Sequence, residues 1–107
     1  MQLTMFKGYP DLVGRRQTFC GSGAGPAVYN STTGDVLLIP GYERYIDCVL
    51  EIPLDPTGTY YGVAKPSVAG ARATWAIFYY TAAGAQVSNA TVMSTFNFVV
   101  SGFMGEF

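Results

Sequence analysis

Histidine is absent from this chain of 107 residues, and charge is scarce, with six Lys and Arg against seven Asp and Glu. Without histidine the side chain that most readily moves protons near neutral pH is missing, which favours binding or structural work over catalysis. A net charge of -1 provides no general field for nucleic acid or an anionic membrane. No apolar run approaches the roughly 20 residues a membrane-spanning helix needs, so no membrane partner is expected. The opening segment, Met1 to Lys7, lacks the charged-then-apolar order of a signal peptide, and the chain is expected to work without that export route. The only cysteines, Cys20 and Cys48, sit among apolar neighbours and are expected to be buried free thiols. No zinc or calcium ligand set can be assembled, and no cofactor is expected.

What the chain has instead is strand-forming material. Val, Thr, Tyr and Phe together number 35, whereas Glu, Lys and Gln number eight. Thirteen glycines and six prolines punctuate it at short intervals. Alternation around Val13, Arg15, Gln17 and Phe19 predicts a strand with cations on both faces, suited to an edge or an interface better than to a sheet centre. Cys20 to Pro26 is read as a flexible loop. Ala27 to Asn30 and Asp35 to Ile39 flank a turn at Ser31 to Gly34, predicting a hairpin with positive φ at Gly34. The clearest period-two pattern runs from Tyr42 to Leu54, with Ile46, Cys48, Leu50, Ile52 and Leu54 on the apolar face. A turn at Asp55 to Gly58 leads to a strand from Thr59 to Lys65. Arg72 to Thr81 is apolar on both faces and predicts a covered central strand. A short strand from Ala85 to Val87 and a long one from Thr91 to Val100 follow. In the last, Val92, Phe96, Phe98 and Val100 share a face. The pattern predicts one domain, residues 1–107, all-β, a single-domain β-sandwich or jelly roll of about eight short, mainly antiparallel strands.

Apparent chemistry dissolves when spacing is considered. Glu43, Asp47, Glu51 and Asp55 recur every four residues, which on a strand separates neighbours by about 13 Å. Paired carboxylates of glycosidases stand about 5 to 9.5 Å apart, so the series reads as a solvated strand face. Gly21 to Gly25 has neither the lysine nor the following helix of a phosphate-binding loop. The triplets beginning at Asn30 and Asn89 match glycosylation sequons but fall in turns, where such residues serve local geometry. Tyr60, Tyr61, Trp75, Tyr79 and Tyr80 could stack bases beside Lys65 and Arg72. Two cations are too few for an electrostatic groove, so core or protein-interface roles are preferred.

Both termini are apolar. The chain opens with Met1, Leu3, Met5 and Phe6 and closes with Phe98 to Phe107, rich in aromatic and aliphatic side chains. Packing on the domain's own sheet and docking on another subunit both satisfy this observation. The candidate interface is Phe103, Met104 and Phe107, with Arg15 and Arg16 as its polar rim.

In size, strand content and shortage of charge, the chain resembles the small decoration, or cement, proteins of tailed-bacteriophage capsids. Tyr42-Glu43-Arg44-Tyr45-Ile46-Asp47, Trp75-Ala76-Ile77-Phe78-Tyr79-Tyr80-Thr81-Ala82-Ala83-Gly84 and the apolar tail carry the likeness. It implies a non-enzymatic virion protein, assembled in the host cytoplasm, that binds capsid or other virion protein and self-associates. A head-to-tail or tail position belongs to the same expectation. The competing expectation is a carbohydrate- or nucleic-acid-binding β module using exposed aromatics.

Overall fold

Inward and outward side chains alternate along two sheets whose apolar faces enclose one core. The computed structural model describes residues 1–13, 16–41, 46–52, 55–68 and 73–104. Among the described residues there are eight strands and no helix: β1 Thr4–Met5, β2 Asp11–Val13, β3 Arg16–Ala24, β4 Asp35–Val36, β5 Ile46–Glu51, β6 Tyr60–Val68, β7 Ala73–Thr81 and β8 Asn97–Met104. The first sheet has the order β1-β3-β8-β5, with β2 also paired to β3, and the second has the order β4-β7-β6. All of these strand pairs are antiparallel. The architecture is the expected all-β sandwich. Phe19, Phe98, Val100 and Met104 from the first sheet meet Ile77 and Tyr79 from the second, with Leu3, Tyr29, Leu37, Ile39 and Met93 closing the core from the loops.

The glycine-rich stretch is strand, where the sequence predicted loop. β3 continues through Cys20-Gly21-Ser22-Gly23-Ala24 because its glycines let another segment lie against it. A Cβ on Gly21 would collide with the Thr4 carbonyl oxygen, and one on Gly23 would stand 2.6 Å from Met1 Cγ. β3 is also interior to its sheet, paired on both sides, where an edge or an interface was expected over a sheet centre.

Other boundaries move for similar reasons. The turn before β4 forms with Gly34 at φ 73°, but no strand precedes it. Instead, Tyr29 donates its N–H to the Thr91 carbonyl at 3.0 Å. β6 runs on through Pro66, which an edge strand tolerates since its missing N–H points away from the ladder. β7 is central in its sheet, as predicted. The expected strand at Ala85 to Val87 reduces to a bridge between Tyr80 and Gln86. The last strand begins at Asn97, and upstream of it Met93 is buried while Val92 is 60% exposed, reversing the expected faces there.

β5 departs from its alternation too. Register shifts fall between Ile46 and Cys48 and between Val49 and Glu51. Ile46 stays inward opposite Met104, but Cys48 lies opposite Phe103 and Val49 packs on the core. Each bulge adds a residue and so exchanges the faces beyond it. The side chain of Leu50 lies outside the described residues.

Candidate functional site

Of the residues singled out as an interface, Phe103 and Met104 belong to β8. Met104 is fully buried in the core, which corrects its assignment as a contact residue. Phe103 is half-buried on the outer face of the first sheet, between Thr18 and Cys48. Arg15 and Phe107 lie outside the described residues. Arg16 opens β3 opposite Val13, and its side chain lies outside them. Cys20 and Cys48 are free thiols, half-buried where full burial was expected. They occupy the two strands flanking β8, opposite Ser101 and Phe103 and so about 12 Å apart, beyond the reach of a disulfide.

The aromatic set divides between core and surface. Tyr79 is buried, donating its hydroxyl to Asp35 Oδ2 at 2.8 Å and its N–H to the Tyr29 hydroxyl at 3.1 Å. Burial and then the Asp35 charge push its phenol well above the ordinary range. The same Asp35 accepts from the Met1 α-amino group, which also donates to the Val36 carbonyl at 2.6 Å. Trp75 donates its indole N–H to the Ile46 carbonyl at 3.0 Å, tying the two sheets together. Tyr60 meets Phe96 edge to face, with ring centroids 4.9 Å apart. On the outer face of the second sheet, Tyr61 and Tyr80 stack on each other at 5.6 Å, and the Lys65 ammonium stands 4.9 Å over the Phe78 ring. These rings therefore spend part of their faces on neighbours within the chain.

The most distinctive surface lies at one end of the sandwich, where β3 and β7 finish and β6 and β8 begin. Tyr60 and Phe96 join the two sheets there, and Gly25 donates its N–H to the Phe96 carbonyl at 2.9 Å. A Cβ on Gly25 would collide with the Met93 carbonyl oxygen, so this approach requires glycine. Met93 donates to the Pro26 carbonyl at 2.8 Å, bringing 26–29 alongside 90–93. That ladder turns Tyr29 and Met93 inward and leaves Val28 70% and Val92 60% exposed. The surrounding loops are pinned by neutral groups. The Asn30 Oδ1 accepts from Thr32 and Thr33 N–H at 2.9 and 3.1 Å, and Gln86 Nε2 donates to the Ser31 carbonyl at 2.9 Å.

This end carries no exposed charge among its described residues, 26–34, 55–59 and 82–96. The carboxylate that falls there, Asp55, is 3% exposed, correcting its expected place on a solvated strand face. It accepts from Thr57 N–H at 2.7 Å, Thr57 Oγ1 at 2.5 Å and Tyr60 N–H at 2.6 Å. Desolvation pushes its pKa up, but these hydrogen bonds outweigh that and hold it below the ordinary value. Sequence reasoning missed the surface. Its signal was available as two charge-free runs, one between Arg16 and Asp35 and the other between Arg72 and Glu106.

Asp35 and Asp55 are both occupied in holding structure together. Among the described residues no cluster of three His, Cys, Asp or Glu could hold a metal ion. The arrangement suits contact through shape and apolar surface. No protein family, curated protein or solved structure matches the chain.

Proposed function

We propose that this protein is a non-catalytic structural component of a virion, a decoration protein of the kind its sequence resembles, binding other virion proteins through surface contact. The observation that carries the reading is the uncharged end with its exposed Val28 and Val92. Protein interfaces are depleted of charge at their centres, whereas ordinary soluble surfaces intersperse charges of both signs. Burying about 800 Å² per partner makes a specific contact, and many copies on one shell add avidity. A protein that binds only the assembled lattice stabilises it by mass action.

The alternative is a module that stacks sugars or bases on exposed aromatics. Tyr61 and Tyr80 are its candidates, and their mutual stacking, with Lys65 covering Phe78, weakens it. The deciding experiment is cosedimentation of the purified chain with shells assembled from any capsid protein that its neighbouring genes encode. Saturable binding that Val92→Lys weakens supports the proposal. A chain that stays in the supernatant, while oligosaccharides or single-stranded DNA quench its Tyr and Trp fluorescence, overturns it.

A further inference from the structure

We infer that the α-amino nitrogen of Met1 is a modification-sensitive latch: protonated and unsubstituted it fastens the N-terminal segment between the two sheets, and acylation releases that segment. The inference is independent of the structural role proposed above. The segment is a strap with a sheet on either flank. Thr4 and Met5 pair with Ser22 and Gly21 of β3, in the first sheet. On the other flank Leu3 donates its N–H to the Leu38 carbonyl at 2.7 Å, and Leu38 donates to the Met1 carbonyl at 2.8 Å. These bonds form a parallel bridge two residues beyond β4 of the second sheet. Met1 and Leu3 are buried, and β3 makes room for the strap at Gly21 and Gly23, where a Cβ would collide with it.

The latch is a charge pair. The Met1 ammonium donates to Asp35 Oδ1 at 2.5 Å and to the Val36 carbonyl at 2.6 Å, while Asp35 Oδ2 accepts from the buried Tyr79 hydroxyl at 2.8 Å. The Asp35 side chain is 10% exposed, and among the described residues the α-ammonium is the only cation paired with it. An ammonium carries several N–H groups and serves both acceptors at once. Acylation leaves a single N–H and removes the charge, so one of the two acceptors loses its donor and the carboxylate loses its counter-charge in either case. Removing one partner of a poorly solvated ion pair costs far more than the pair contributes, because the remaining charge has little water to turn to. A formyl group, an acetyl group or a further residue joined to that nitrogen acts alike.

Three forms of the full chain test the inference: unsubstituted Met1, Nα-acetyl-Met1 and Nα-methyl-Met1. Peptides 1–19 carrying each group, ligated to 20–107 through Cys20, supply them. Acetylation should speed hydrogen exchange of the Leu3 and Leu38 amides by roughly 10-fold or more and lower the melting temperature by roughly 5 °C. Methylation adds bulk but keeps the charge and enough N–H groups for both acceptors, so exchange should stay within about 3-fold of the unsubstituted chain. An acetylated chain that fails to fold while the methylated one folds supports the latch equally. Exchange and melting unchanged by acetylation overturn the inference. So does methylation as damaging as acetylation, which would show crowding at the nitrogen in place of lost charge.

Discussion

The uncharged end and the flank formed by β5 and β6 treat charge in opposite ways. At the end, the one carboxylate is withdrawn into a turn and takes hydrogen bonds from Thr57 and Tyr60. Along the flank, Glu51 and Lys65 stand in water. The end organises its loops with amides, hydroxyls and backbone groups, as the bonds from Gln86 to Ser31 and from Thr91 Oγ1 to the Ser88 carbonyl show. The difference teaches that ordered loops need no surface ion pairs, and that a surface without them remains cheap to dehydrate.

The comparison breaks most visibly if the two carboxylates are removed in turn. Asp55→Ala should cost about 1 to 3 kcal/mol in urea melts, because it removes the shared acceptor of three part-buried hydrogen bonds at once. Glu51→Ala should stay within about 0.5 kcal/mol. Equal effects would mean that Asp55 is no more structural than an exposed acid. Gly25→Ala comes next, at about 1 to 3 kcal/mol, since its Cβ would meet the Met93 backbone.

Acid titration sharpens the contrast. The folded pKa of Asp55 is depressed, so its contribution is fully present above the unfolded value of about 3.9 and is lost as pH falls through the lower folded value. Denaturant midpoints should therefore decline below about pH 4, and Asp55→Asn should flatten that limb. The smallest effect is chemical. Alkylation of denatured, unreduced protein should add two labels by intact mass, because Cys20 and Cys48 are separated by β8. Absence of labelling would place the cysteines in a disulfide and contradict this strand order.

Several elements are legible in the residues alone. β7 is apolar on both faces and proves central, and Gly34 and Gly58 take the positive φ that their turns demand. Phe98 and Val100 share one face as expected, and that face is buried. Cys20 to Ala24 misleads because glycine ordinarily signals flexibility, whereas here it admits the neighbouring Met1–Met5 segment. β5 misleads because its strict alternation survives in sequence while register shifts redirect Cys48 and Val49. The terminal Met104 is legible as apolar, but its destination in the core depends on β8 pairing with Ile46.

By itself the sequence determined the all-β class, the punctuating turns and the scarcity of charge, since propensity, glycine chemistry and ionisation are properties of residues and their immediate neighbours. Only tertiary structure decided which faces are buried and that two charge-free runs, far apart in the chain, converge on one end. That convergence depends on contacts such as Tyr60 with Phe96 and Met93 with Pro26, whose partners are distant in sequence. Local periodicity has no means of encoding them, because a bulge or a crossing segment changes partners without changing the pattern.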